Sequence, residues 1–167
     1  QMGLTYNAFH VVALCSPSRA ALLTGHNQHR VGMGSIAEYP GPFPGYTSAR
    51  PRSCTALPRV LQENGYVTGG FGKWHMTPDN LQGAAGPFDR WANGLGFDYF
   101  YGFNGGDADQ WNPVLYENRN LVPKSADPNY HLTEDMADKA IAWTRNVTSI
   151  SPDAPFLLYV APGANHA

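Results

Sequence analysis

The sequence predicts an α/β fold, a mostly parallel sheet with helices on both faces, and three observations carry that prediction. Strand-length apolar runs alternate along the chain with segments of helical spacing. Glycines close the first two of those helical segments. The apolar fraction is 43% and the charged fraction only 14%, so 167 residues suffice to bury a sizeable core.

Taken in order, residues 9–14 (Phe-His-Val-Val-Ala-Leu) read as a strand running into a helix over 17–24. Pro17 suits the first turn of that helix, where a missing N–H costs nothing, and Gly25 closes it. Residues 32–52 are rich in glycine, proline and aromatics and read as loop. A second helix is expected over 55–64, with Leu57, Val60 and Leu61 on one face and Gly65 as its stop. Residues 66–71 form a short strand leading to Gly72-Lys73-Trp74-His75. From 76 to 130 periodicity is weak, and so long an irregular stretch is expected to serve function, as a lid or pocket wall. The clearest helix spans 133–147, with Thr133 able to cap it, Glu134 and Asp135 in its first turn, and Ala137, Ala140, Ile141, Thr144 and Val147 on one face. Pro152 and Pro155 separate it from a last apolar strand at 156–161.

Eleven basic residues against 13 acidic ones leave a net charge of −2. No basic field marks a nucleic-acid partner. No apolar run is long enough to span a membrane, and no signal peptide is visible. Two cysteines, Cys15 and Cys54, do not make a disulfide framework. The chain enters a strand soon after its first residue and stops just after another. We therefore expect parts to be missing at both ends, which leaves the compartment open.

Cys15 is expected where a strand meets a helix N-terminus, and free N–H groups there favour anions. Arg19, one turn on, adds positive charge, so the thiol is either an activated nucleophile or a buried helix-start cysteine. Lys73 is a compact positive charge suited to anionic oxygens, and His75 exchanges protons near neutrality. If the strand continues, the two side chains point the same way; the alternative is a solvated strand end. His166 follows the last strand, where open α/β sheets bind ligands, or is simply a loop histidine. Trp74, Trp91 and Trp111 could wall a pocket, but such residues more often fill a core or cover a loop, and none is assigned a site role. Asn146-Val147-Thr148 matches a glycosylation acceptor, a pattern common by chance.

Cys15-Ser16-Pro17-Ser18-Arg19, extended by Ala20-Ala21-Leu22-Leu23-Thr24-Gly25, resembles the first signature of the type I sulfatases, members of the alkaline phosphatase superfamily. The segment from Gly65 to Gly72-Lys73-Trp74-His75 resembles their second signature, and Ala161-Pro162-Gly163-Ala164-Asn165-His166 a segment of bacterial arylsulfatases. The stretches Gly94–Phe103, Gly105-Gly106-Asp107 and Gln110–Pro113 are also similar to that subgroup. The resemblance implies a partial alkaline-phosphatase-like sandwich, with residues 1–167 as part of a sulfatase catalytic domain. It implies hydrolysis of small-molecule sulfate esters through a formylglycine made from Cys15 by a formylglycine-generating enzyme that reads Pro17 and Arg19. On the same footing, Arg19 would hold the hydrated aldehyde, Lys73 and His166 would bind sulfate, His166 would protonate the leaving group, and His75 would act as base. The family's calcium would be held in part by the modified Cys15. The other acidic ligand pairs have no match; Asp107 and Asp109 fall in the wrong segment. The alternatives are a phosphate or phosphonate monoester hydrolase of the same superfamily, or an inactive fragment.

Overall fold

The computed structural model describes residues 3–166. Its helices are α1 (Cys15–Thr24), α2 (Leu57–Glu63) and α3 (Leu132–Ile150). Its strands are β1 (Val67–Lys73), β2 (Tyr99–Phe103), β3 (Tyr116–Glu117), β4 (Asn120–Leu121) and β5 (Phe156–Ala161). They form one sheet in the order β4-β3-β2-β1-β5. The central β1 runs parallel to β2, with Gly72 opposite Gly102, and parallel to β5, with Gly72 opposite Ala161. β3 and β4 add an antiparallel hairpin at the β2 edge.

Alternation of side chains along the central strands makes two cores. Phe100, Leu157 and Tyr159 join Ala20 and Leu23 of α1, together with Trp74, Leu95 and Phe97. Phe71, Tyr101 and Phe103 face the other way onto Met136 and Ala140 of α3, with Trp143 packed alongside. Helices thus cover both faces of a mostly parallel sheet, as expected. Trp74 meets Phe97 edge-on with centroids 5.9 Å apart, and Phe71 meets Trp143 at 5.8 Å. Each such buried side chain contributes about 1.5–3 kcal/mol through the apolar area it removes from water.

At their C-terminal ends the three parallel strands converge. A methyl group on Gly102 would run into the backbone of Gly72, and one on Gly72 into the carbonyl of Ala161. Gly72 also sits at φ +101°, a conformation that disfavours any side chain. Lys73, the last residue of β1, stands opposite Phe103 at this end of the sheet.

Several local expectations change. Residues 9–14 form no strand: Phe9 is 82% and Val11 74% exposed, and no described strand pairs with them. α1 begins two residues early, at Cys15, capped by the extended Leu14 without a side-chain bond. Ser18 Oγ donates instead to the carbonyls of Val12 and Leu14, both at 2.8 Å, and holds the entering chain. α3 is capped by His131, whose Nδ1 accepts from the Thr133 N–H, rather than by Thr133. The stretch expected to be irregular, 76–130, holds β2, β3 and β4.

Candidate active site

The site lies at the C-terminal end of the parallel strands, where β1 delivers Lys73 against the first turn of α1. Ligands of open α/β sheets bind at this end because helix N-termini point there. The Lys73 side chain is only 3% exposed, and its ammonium lies beside the side chain of Cys15. Burial, which penalises the charged form, holds the Lys73 pKa below that of a free lysine. The Cys15 charge opposes the shift, Arg19 adds to it, and Glu38 weakly opposes it.

Arg19 is the tie between elements. Its Nη1 donates to the Lys73 carbonyl at 2.6 Å and to the Tyr159 hydroxyl at 3.1 Å. One guanidinium therefore joins α1 to the end of β1 and to β5, and its charge acts on the Lys73 ammonium. The planar fork of arginine suits two acceptors at fixed angles, which a lysine would not serve.

His75 reaches this cluster by a different route from the expected one. β1 stops at Lys73, the Trp74 N–H donates to the Phe103 carbonyl at 2.9 Å, and Trp74 turns into the core. His75 then adopts a left-handed backbone, φ +52°. A turn, rather than continued strand alternation, carries the imidazole inward, where it is 2% exposed. Its Nε2 lies 2.8 Å from both carboxylate oxygens of Glu38. Burial lowers the His75 pKa and Glu38 opposes that shift, while the charges of Lys73 and Arg19 lower it further.

The structure therefore joins Cys15, Arg19, Lys73 and His75 into one connected group. It adds Glu38, which sequence reasoning missed. Glu38 lies in the proline-rich loop, 37 residues from its partner, so no local spacing links them. One signal was available: it is the first acidic residue of the chain, and the next is Glu63. His166 is exposed, in the segment that leaves β5 at the same sheet end. Trp74 and Trp91 are fully buried core residues, and Trp111, 69% exposed, packs on the His131 ring. Asn146 falls inside α3.

The acidic side chains do not fit a calcium ion by themselves. Among the described residues, no group of three or more His, Cys, Asp or Glu side chains could hold a metal. Glu38 is engaged by His75, and Asp109 Oδ1 accepts the Trp111 and Asn112 N–H groups, which lowers its pKa. A hard cation needs about six to eight oxygens, more than these side chains offer.

The chain is similar to known proteins along most of its length. The chain is 32% identical over 174 residues to an uncharacterized sulfatase of Schizosaccharomyces pombe, covering 96% of this chain and 31% of that one. It is 32% identical over 197 residues to arylsulfatase G of Homo sapiens, covering 98% and 34%. The fold superimposes on the crystal structure of Ps i-CgsB bound to k-i-k-neocarrahexaose, at TM-score 0.71 and 27% identity, over 92% of this chain and 35% of that one. A structure solved with its substrate D-glucosamine-2-N,6-O-disulfate aligns at TM-score 0.66 and 26% identity, over 96% and 26%. The chain thus spans about a third of the length of the first curated relatives it matches, and the α/β architecture is that of alkaline-phosphatase-like sulfatases. The Sulfatase family model matches residues 1–167, so with its helix-start cysteine, buried lysine and strand-end histidine the chain belongs to the sulfatase family.

Proposed function

We propose that residues 1–167 form the nucleophile-bearing part of a larger catalytic domain that hydrolyses sulfate esters of the aryl sulfatase type. The observation that carries this reading is the buried ammonium of Lys73 beside Cys15, at the first turn of α1, with Arg19 one turn along bonded to the Lys73 carbonyl. A helix N-terminus, a buried ammonium and a nearby guanidinium make an arrangement that suits negative charge developing on sulfate oxygens.

In this reading Cys15 is oxidised to formylglycine by a maturation enzyme that recognises Pro17 and Arg19. Hydrated, that aldehyde supplies one hydroxyl to attack sulfur and a second whose deprotonation releases sulfate. Lys73 and Arg19 neutralise the anion, Arg19 also keeping the end of β1 in register with α1. His166, on the segment leaving β5, gives a proton to the departing alcohol, and His75 takes one when sulfate is expelled. Calcium would complete the charge balance with ligands from elsewhere in the longer protein.

The test uses the full-length protein from a host that makes formylglycine. Mass spectrometry of the Cys15 peptide should show an aldehyde that labels with a hydroxylamine probe, and aryl sulfate should turn over faster than aryl phosphate or phosphonate. An intact thiol, or sulfate turnover unchanged in Cys15→Ala, would overturn the reading. Faster phosphate or phosphonate hydrolysis would move the activity to the other ester class.

A further inference from the structure

The contact between Glu38 and His75 assigns a job to a residue outside every motif of the sequence. His75 is buried, and its two nitrogens have different surroundings. Nε2 faces both oxygens of Glu38 at 2.8 Å, whereas Nδ1 is buried with no hydrogen-bond partner among the described residues. A carboxylate only accepts hydrogen bonds, so the nitrogen facing it carries the proton. Neutral His75 is therefore the Nε2–H tautomer, and its free lone pair is on Nδ1. The ring has little freedom to choose otherwise. A methyl on Gly106 would sit 3.1 Å from the imidazole, so the backbone there closes against it. The left-handed backbone at His75, a conformation costing about 1–3 kcal/mol, persists only where surroundings hold it. Glu38 itself is 29% exposed and borders a cleft of about 550 Å³, so its carboxylate keeps contact with water while the imidazole does not.

We propose that Glu38 is a positioning residue for His75, holding the Nε2–H tautomer so that Nδ1 is the nitrogen that takes the proton as sulfate is released. The inference rests on the functional reading above. In the step concerned, the O–H bond of the second hydroxyl at position 15 breaks and its proton goes to Nδ1. That bond's electron pair forms the C=O, and the C–O bond to sulfate breaks with its electrons leaving on sulfate. The imidazolium so formed has Nε2–H against the Glu38 carboxylate, which stabilises it, while the other charges facing it, Lys73 and Arg19, disfavour it. Without Glu38, His75 is a weaker base in an unselected tautomer.

The experiment uses the full-length matured enzyme, 4-nitrophenyl sulfate, and the variants Glu38→Gln and Glu38→Asp. In Glu38→Gln, nitrophenol should appear in a burst equal to the enzyme concentration, followed by a steady rate about 10²-fold below wild type. KM should not rise, because the lost step follows substrate binding. The acid limb of the kcat profile should move to lower pH, since a carboxylate that favoured the imidazolium is gone. Glu38→Asp should recover much of kcat and restore the limb. Nitrogen-15 NMR of wild-type His75 should read Nε2–H and unprotonated Nδ1, and it keeps the inference testable if Glu38→Gln does not fold. An active wild type whose kcat changes by less than about twofold in Glu38→Gln, with the acid limb unmoved, overturns the inference alone. So does an Nδ1–H tautomer. A matured wild type that turns over no sulfate ester overturns the functional reading, and the inference with it.

Discussion

Replacing Lys73 by methionine removes one charge from the candidate site while nearly preserving side-chain length and volume. Lys73 is 3% exposed, so bulk water cannot move in to replace its ammonium. An ammonium about 4 Å from a unit negative charge, at an effective dielectric near 20, is worth about 4 kcal/mol. Only the part felt by charge that develops beyond the ground state accelerates the chemistry. Losing one such preorganised donor costs about 2.7–4 kcal/mol, or 10²–10³ in rate, in a comparable anion-stabilising site. We expect Lys73→Met to lower kcat/KM for 4-nitrophenyl sulfate by about 10²–10³-fold in the full-length enzyme. Rates are to be normalised to the aldehyde content at position 15, measured by hydroxylamine labelling, because Lys73 lies beside Cys15. Lys73→Arg should recover little, since a guanidinium is too large for so enclosed a place. A matured Lys73→Met enzyme within about fivefold of wild type would refute the idea that this cation acts on the transition state.

Two further outcomes probe the scaffold. Gly102→Ala puts a methyl into the Gly72 backbone at the centre of the sheet, and with no flexible side chain there to yield it should destabilise by at least about 3 kcal/mol, seen as loss of soluble protein or a large drop in Tm. Tyr101 and Tyr130 both donate to Asp135 Oδ2, at 2.5 and 2.8 Å, and burial followed by those bonds pushes both pKa values up. A folded-state pKa above the unfolded value gives stability that is complete below the unfolded tyrosine's pKa of about 10 and is lost progressively as pH rises past it. Urea midpoints should therefore fall between pH 9 and about pH 11, and Tyr101→Phe should lower stability at pH 8 by about 1–3 kcal/mol while flattening that fall. A Tyr101→Phe protein with an unchanged alkaline slope would count against this.

The elements that were legible in the sequence are those whose signal is local. α1, α2, β1, α3 and β5 each carry an apolar pattern with a stop residue or a flanking proline, and each appears close to its expected place. β2 was not legible because it is buried on both faces, four of its five residues fully so, and a doubly buried strand shows no alternation. β3 and β4 have two residues each, too few for any period. The error at 9–14 has the opposite cause: apolar, β-prone residues favour a strand, yet a strand needs a neighbour to pair with, and the sheet offers none there.

The site divides along the same line. Cys15, Arg19, Lys73 and His75 stand in short motifs, and the fold brings them together because α1 begins, and β1 ends, at the same end of the sheet. Glu38 has no motif, and its link to His75 exists only once the chain has closed. Even so, physics bounds where such a partner must be sought. A histidine carried into the core directly after a buried strand loses most of its contact with water, and a buried ring nitrogen left unpaired costs about 1–3 kcal/mol. One nitrogen can stay open for chemistry only if the other is satisfied. Once Lys73-Trp74-His75 is placed at the end of an enclosed strand, some acceptor has to face the imidazole. In a stretch of more than sixty residues holding a single carboxylate, Glu38 was the acidic candidate nearest to hand.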